Sequence, residues 1–216
     1  MDLENQKRVK ELLEIAQVCR KVPANNPETL HEAIQMYWFV HLGTVIELNG
    51  WDAMNPGHLD QHLYPFYQRE VEGGTLHRDK AKELLECLWI KFNNQTAPPK
   101  VGVTALESGT YNDFTNINIG GLQRNGSDGV NELSFLLLEV IDEIHLLQPG
   151  CNIQVSHKTP DAFLKVTRGT APSENFQIPV FKLKKAERDG SVCSSKTAFF
   201  RWFHRLGRFL VFSPVF

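Results

Sequence analysis

Apolar positions in the first half of the chain recur with the period of an α-helix. Residues 3–18 are predicted to form an amphipathic helix that ends before Pro23. A second helix is predicted to begin at Asn26-Pro27, with Asn26 as its N-cap, and to end at Asn49-Gly50. The next two predicted helices are 58–70 and 75–92. The apolar side of the first helix is formed by Val9, Leu12, Leu13, Ala16 and Val18.

The second half of the chain mixes strand and helix patterns. Alternation over 114–119 predicts a short strand that ends at Gly120-Gly121, and 152–156 predicts another. Residues 93–112 are predicted to be a long loop, of a length that is more often functional than not. Two helices are predicted, one from Ser127 or Asp128 to Leu147 and one beginning at Asp161. The predicted class is therefore helix-rich α/β, with partner strands that are not all present in this chain.

The composition is that of a folded protein. Of the 216 residues, 42% are hydrophobic and 22% are charged, which excludes a wholly disordered chain. No apolar run reaches the roughly 20 residues of a membrane-spanning helix, and residues 1–20 lack the apolar centre of a signal peptide. The four cysteines are widely spaced and form no Cys-x-x-Cys pair, which is typical of a reducing compartment. We therefore expect a cytoplasmic protein whose partner is neither a membrane nor a nucleic acid.

Charge divides the chain into two parts. Residues 167–216 contain nine Lys or Arg and three Asp or Glu, a balance of +6. Residues 1–166 contain 14 basic and 22 acidic residues, a balance of −8. The last fifty residues also hold eight of the fourteen phenylalanines. This shift predicts a domain at 1–166 followed by a basic, Phe-rich tail at 167–216.

Within the tail, residues 199–212 have the pattern of a basic amphipathic helix. Such a segment can lie on an anionic membrane or enter a groove on a partner protein. Two alternatives stay open. The segment could be a terminal helix packed on the core, or the whole tail could result from a frameshift near residue 166.

The residues themselves show no catalytic constellation. His58 and His62 share a helix face at a metal-chelating spacing, but Leu59 stands where a zinc protease has Glu, and no third ligand is recognisable. The chain has no Gly-x-Ser-x-Gly elbow, and Gly120-Gly121 lacks the spacing of a phosphate-binding loop. Cys87 lies on an apolar helix face and is predicted to be buried and inert. We therefore predict no metal site and assign no catalytic residue to this chain.

Residues 27 to about 165 nevertheless resemble a known family. The resemblance is carried by blocks in a fixed order, which are Leu30-His-Glu-Ala-Ile-Gln-Met-Tyr-Trp-Phe39, Asn49-Gly50 through Asp60-Gln61, Tyr64-Pro-Phe-Tyr67, 84–91, Asn116-Ile-Asn-Ile-Gly-Gly121 and Asn131-Glu-Leu-Ser134. These blocks are similar to the glycyl radical enzymes, the pyruvate formate-lyase-like family. Within that family, residues 93–121 look most like the carbon–sulfur lyases that cleave isethionate-type sulfonates. The dehydratases and decarboxylases of the family are close to them.

The resemblance implies both a fold and a chemistry. The fold would be a partial segment of a ten-stranded α/β barrel wrapped in helices, whose interior shields radical intermediates from water and oxygen. The chemistry would be radical cleavage of a carbon–sulfur, carbon–carbon or carbon–oxygen bond in a small polar substrate, as part of anaerobic metabolism. A separate iron–sulfur, S-adenosylmethionine-dependent activating enzyme would install the glycyl radical. A homodimer of the family type is compatible with the sequence.

The resemblance does not extend to the family's radical machinery. Neither its catalytic cysteine nor its radical glycine falls within the similar segment, and Cys193 does not lie in a matching motif. We therefore expect an internal fragment of a glycyl radical lyase that binds no cofactor itself and is inactive alone. The alternative function is a non-enzymatic interaction protein whose basic tail binds a membrane or a partner.

Two short segments match substrate-pocket positions of the family. The loop 51–55 matches a loop that faces the substrate, and Phe114 matches an aromatic position beside it. For each residue, the alternative is a buried loop position that satisfies backbone groups. The predicted substrate-binding residues are Trp51, Asp52, Met54, Asn55, Asp113, Phe114, Thr115 and Asn116.

Overall fold

A computed structural model describes residues 3–48, 55–94, 115–146, 148–169 and 180–182. Helices alternate with short strands along these ranges. The elements are α1 (Leu3–Lys21), α2 (Leu30–Leu48), β1 (Gly57–His58), α3 (Leu59–Glu72), α4 (Arg78–Asn94), β2 (Asn116–Gly120), α5 (Glu132–Ile144), β3 (Gly150–Val155), α6 (Asp161–Gly169) and β4 (Val180–Lys182).

The strands form one parallel sheet in the order β1-β2-β3-β4. In its register Gly57 lies opposite Ile117, and Asn118 lies opposite Asn152. Each neighbouring pair is joined by a crossover that contains at least one helix. Because such crossovers are right-handed and the strand order never reverses, the intervening helices α3 to α6 lie on one face of the sheet.

The hydrophobic core fills the space between the sheet and these helices. Ile117, Ile119 and Ile153 project from the strands into it, and each is fully buried. The largest fully buried side chains of the helices are Phe92, Phe163, Leu30, Leu59, Leu85, Leu133, Leu136, Leu137 and Leu138. Because burying one such side chain contributes about 1.5–3 kcal/mol, this layer supplies most of the driving force that orders the sheet.

The predicted helices are present, with boundaries set by local capping. Helix α2 begins at Leu30 instead of Pro27, because Thr29 and not Asn26 caps its first turn. The Glu32 amide donates to Thr29 Oγ1 at 3.2 Å, and the Glu28 amide donates to the Glu32 carboxylate at 2.7 Å. The first bond satisfies an amide of the first turn that has no partner within the helix, and the second ties the residue before the cap to the same turn.

Helix α5 also begins later than predicted. Asn131 caps it in place of Ser127 or Asp128, since Asn131 accepts a bond from the Ser134 amide and the Asn131 amide donates back to Ser134 Oγ. The helix ends at Ile144, where His145 adopts a left-handed conformation with φ of 51°.

The predicted helix-rich α/β class is confirmed, and each predicted strand lies within two residues of an observed one. The sequence did not predict β1 or β4, because elements of two and three residues are too short to show an alternating pattern. The complete ten-stranded barrel remains a prediction, as does the boundary between 1–166 and 167–216. Most of the predicted loop at 93–112 and of the tail lies outside the described residues.

Candidate functional site

The face of the sheet opposite the helices is lined with polar side chains. Since side chains alternate along a strand, Ile117, Ile119, Cys151 and Ile153 enter the core, and the residues between them point the other way. Asn118, Asn152 and Gln154 lie on this second face, yet they are only 7%, 9% and 5% exposed. The Asn152 amide nitrogen lies 3.5 Å from the Asn118 amide oxygen across the ladder. We call this surface the amide face, and it offers hydrogen-bond donors and acceptors without net charge.

His58 extends the amide face to the edge strand β1. Its Nε2 lies 2.8 Å from Gln154 Oε1, although the two residues are 96 positions apart in sequence. Gly121 lies directly beneath this pair. A Cβ atom at Gly121 would be 2.8 Å from Gln154 Oε1 and 3.0 Å from His58 Nε2, so a side chain there would displace both groups. The absence of a side chain at this position lets the pair form.

The Gly120-Gly121 turn that ends β2 is held by four hydrogen bonds. The Gly120 amide donates to Asp60 Oδ2 at 2.8 Å, and the Gly120 carbonyl accepts from Gln61 Nε2 at 2.8 Å. The Gly121 amide donates to the Gln154 carbonyl, and the Gly121 carbonyl accepts from the Gly129 amide, both at 2.9 Å. Both glycines have positive φ, near 79°, a region that other residues avoid. With every backbone group paired, the turn is fixed beside the amide face.

Asp60 is a fully buried carboxylate at the junction of α3, β2 and α5. Besides the Gly120 amide, it accepts the Ser134 hydroxyl at 2.5 Å and the Gln61 amide at 2.9 Å. Burial raises the pKa of Asp60 to about 6, although these bonds and the nearby charge of His58 oppose the rise. Asp60 therefore changes charge in a range where ordinary carboxylates are fully ionised.

We expect Asp60 to make the fold more stable as pH falls. Its folded-state pKa lies above its ordinary value of 3.8, so the folded state binds the proton more tightly than the unfolded state does. The free energy of unfolding should rise as pH falls through 6 and level off near 4, by up to about 3 kcal/mol. Chemical denaturation of the wild-type chain and the Asp60→Asn variant at several pH values measures this difference.

His62 is the control for that pH dependence. Desolvation and repulsion from His58 lower the pKa of His62, so protonation of His62 favours the unfolded state and works against the effect of Asp60. The His62→Gln variant should therefore show a steeper gain on acidification than the wild type. If Asp60→Asn keeps the wild-type pH profile, Asp60 does not cause it.

A second buried polar group anchors the residue that precedes β2. The His41 ring is 4% exposed, and its Nε2 lies 3.3 Å from Thr115 Oγ1. Its Nδ1 lies 3.2 Å from the Tyr37 hydroxyl. The rings of Trp38 and Phe92 pack against the imidazole, with centroids 5.8 and 5.0 Å away. His41 thus ties the start of β2 to α2 from within the core.

The structure describes three of the eight predicted substrate-binding residues. Thr115 is fully buried against His41, and Asn116 opens β2 with its amide oxygen over Gly150, where a Cβ atom would be only 2.6 Å away. Asn55 is exposed in a turn, where its Oδ1 accepts the Gly57 amide at 2.7 Å. The structure thus places Thr115 and Asn116 side by side and gives Asn55 a separate local role. The other five lie outside the described residues, namely Trp51, Asp52, Met54, Asp113 and Phe114.

The remaining candidate groups of the sequence are the histidines and the cysteines. His58 Nε2 faces Gln154, and among the described residues no group of three or more His, Cys, Asp or Glu side chains could hold a metal ion. Cys151 is buried, which raises its pKa to about 12, and desolvation also raises the pKa of Cys87. Neither thiol is therefore activated as a thiolate. Cys87 is exposed, contrary to the prediction that it is buried, and Cys193 lies outside the described residues.

The sequence carries a signal for the amide face in the spacing of its amide residues. Parallel sheets are normally covered on both sides, so their strands read as continuous apolar runs. Here Asn118, Asn152 and Gln154 interrupt two such runs at every second position. Amides at that period indicate a polar inner face. The burial of Asp60 and His41, in contrast, had no sequence signal, because it depends on partners such as Gly120 and Thr115 that are distant in sequence.

Among the described residues, none of the helices is both long and apolar enough to cross a membrane.

Comparison with known proteins identifies the family. The family model "Pyruvate formate lyase-like" matches residues 1–170. Trans-4-hydroxy-L-proline dehydratase from Clostridioides difficile is 64% identical over 156 residues, which are 72% of this chain and 20% of that enzyme. Isethionate sulfite-lyase from Nitratidesulfovibrio vulgaris is 32% identical over 160 residues, which are 73% of this chain and 19% of that enzyme.

A solved structure agrees with the sequence matches. The crystal structure of hydroxyproline dehydratase from Clostridioides difficile superposes with a TM-score of 0.70 at 62% identity, over 75% of this chain and 20% of that one. The chain thus spans about one fifth of the length of the relatives it matches. The matched length, the identities and the shared fold together show that this chain belongs to the pyruvate formate lyase-like family of glycyl radical enzymes.

Proposed function

We propose that the chain is a segment of a glycyl radical dehydratase that removes water from a hydroxylated cyclic amino acid, with trans-4-hydroxy-L-proline as the first substrate to test. The observation that carries this proposal is the 64% identity to the dehydratase of that substrate. A carbon–sulfur lyase of the isethionate type is the second candidate, suggested by residues 93–121. Its support is weaker because the identity to isethionate sulfite-lyase is only 32%.

The proposed role of this segment is to build one wall of the substrate pocket. The predicted pocket residues Thr115 and Asn116 lead directly into β2, which carries the amide face. His41 and the bonds on Gly120-Gly121 fix the two ends of that strand. Rigid support of this kind helps to keep a bound substrate aligned with a radical. The family's glycyl radical would be generated outside this wall, on residues that the chain does not match, by a separate activating enzyme.

Transfer of this segment into a related enzyme tests which substrate it supports. In the Clostridioides difficile dehydratase, the matched stretch would be replaced by residues 1–166 of this chain, which gives a chimera for activation and assay. We expect the activated chimera to consume trans-4-hydroxy-L-proline and to release no sulfite from isethionate. Sulfite release without consumption of hydroxyproline would instead support the second candidate. A chimera that carries the radical but consumes neither substrate would contradict both.

The 216-residue chain itself provides the matched negative control. Incubated with the activating enzyme and S-adenosylmethionine, it should give no glycyl electron paramagnetic resonance signal and no turnover, because neither radical residue of the family lies in its similar segment. Full-length dehydratase in the same preparation provides the positive signal. A glycyl signal from the chain would contradict the proposal that it is a segment of the enzyme.

A further inference from the structure

Helix α1 buries little apolar surface against the described fold. Its contact with α2 places the Glu14 carboxylate 3.4 Å from His31 Nδ1, and the Lys21 ammonium 2.8 Å from a Glu32 carboxylate oxygen. Val18, which is 8% exposed, is the buried apolar residue on this side, and Ile15 beside it is 38% exposed. The contact thus combines ion pairs with a small apolar area, whereas a helix normally buries the larger part of its apolar surface.

The apolar side of α1 faces outward. Val9, Leu12 and Leu13 are 44%, 50% and 59% exposed, and half-buried Ala16 continues the row about one turn beyond Leu12. We call these four residues the outer stripe. Val9 precedes Val18 by nine positions, which at 3.6 residues per turn is a rotation of roughly 180° from the buried side. The prediction that Val18 shares one apolar side with the outer stripe is therefore wrong. Single exposed apolar residues are ordinary, but spacing at i, i+3, i+4 and i+7 is the pattern by which a helix packs against a partner.

The charges that border the outer stripe are mostly positive. Lys10 and Arg20 border it on the helix surface, as does Arg8, which is paired with Glu11 at 3.0 Å, whereas Glu14 faces α2. A partner should therefore offer an apolar groove whose rim carries Asp or Glu. A second copy of α1 is a poor partner, because pairing two outer stripes would bring like charges together.

The family relation indicates where such a groove lies. The family model includes all of α1, and the stretch matched by this chain makes up about one fifth of each relative. Most of the surface that surrounds the segment in those enzymes therefore comes from other parts of the same polypeptide. We infer that the outer stripe is an intramolecular interface of the longer enzyme, which packs into an acidic-rimmed apolar groove formed by residues outside the matched stretch. This inference rests on family membership and not on the identity of the substrate.

The same double substitution in two contexts tests the inference. The variant L12Q/L13Q keeps the charge of α1 but makes the outer stripe polar. In the 216-residue chain it should leave the melting temperature within about 2 °C, because both side chains are exposed there. In the chimera defined above it should lower the melting temperature by at least about 5 °C. If the double variant of the chimera does not fold, Leu13→Ala should give the same contrast with a smaller shift.

Val18→Gln is the matched control, because Val18 lies on the inner side of α1. It should lower the melting temperature of both the chain and the chimera. The rim is tested by Lys10→Glu, which should destabilise the chimera and leave the isolated chain unchanged. An unchanged chimera with L12Q/L13Q would overturn the inference, and so would an equal loss of stability in both proteins.

Two further measurements address other occupants of the outer stripe. Sedimentation velocity of the chain over a range of concentrations reports self-association, and co-sedimentation with phosphatidylserine-containing vesicles reports lipid binding. We expect L12Q/L13Q to change neither result. Dimerisation or vesicle binding that this variant abolishes would assign the stripe to a second copy or to a membrane, and would overturn the inference.

Discussion

Replacing Phe92 with alanine is expected to lower the free energy of unfolding by about 3–5 kcal/mol. Phe92 is fully buried near the end of α4 and is among the largest buried side chains of the fold. Its ring meets those of His41, Trp38 and Trp89 with centroids 5.0, 5.9 and 6.2 Å away. The substitution removes these contacts and leaves a cavity beside His41. Urea denaturation of the purified chain, followed by tryptophan fluorescence, measures the loss.

Ile90 provides the control for Phe92 on the same helix. It is 46% exposed, so Ile90→Ala should change the free energy of unfolding by less than about 0.5 kcal/mol. Near-equal effects of the two substitutions would show that the α4 core is not packed as described.

A further consequence concerns His41, since its ring loses an edge-to-face neighbour in Phe92→Ala. The histidine ring signals in NMR spectra should then shift for His41 while those of exposed His77 stay in place.

Replacing Gly120 with alanine is expected to cost about 2–4 kcal/mol, because two effects add. The φ angle of Gly120 is +78°, where an L-residue is strained. The new Cβ would also lie 2.9 Å from the Gln154 carbonyl oxygen and 3.3 Å from the Phe163 ring. Since the closest atom belongs to the backbone of β3, relief requires the two strands to separate. Thermal unfolding of the chain measures the cost.

Gly74 separates the two effects at Gly120. Its φ is +69°, but a Cβ there would meet nothing within 4 Å. Gly74→Ala should therefore show the conformational strain alone, about 1 kcal/mol. The difference between the two variants is the contribution of strand contact at the β2–β3 junction. Were Gly74→Ala as costly as Gly120→Ala, the close approach of Gly120 to β3 would have no energetic role.

Gly120 and the amide face illustrate different degrees of predictability. The glycine pair could be recognised from the sequence as the end of a strand, because the apolar alternation stops there. The hydrogen bonds that the glycine pair makes could not be predicted, because Asp60, Gln61 and Gln154 belong to elements that are distant in sequence. The alternation of amide residues in the amide face could be recognised from the sequence, but the residues that these amides contact could not. The pairing of His58 with Gln154 spans 96 positions and depends on the register of three strands.

Local and regional information in the sequence determined the helices, the two longer strands and the family. Helical period, proline and glycine act within one or two turns, and blocks such as Asn116-Ile-Asn-Ile-Gly-Gly121 keep their order in any context. Tertiary structure decided which polar groups are buried and which side of each helix is covered. Asp60 acquires its raised pKa only because three elements exclude water from it. Leu12 and Leu13 have the spacing of core residues yet are exposed. The hydrophobic period of a helix determines only which of its sides is apolar. Whether that side is buried depends on which surfaces meet in three dimensions.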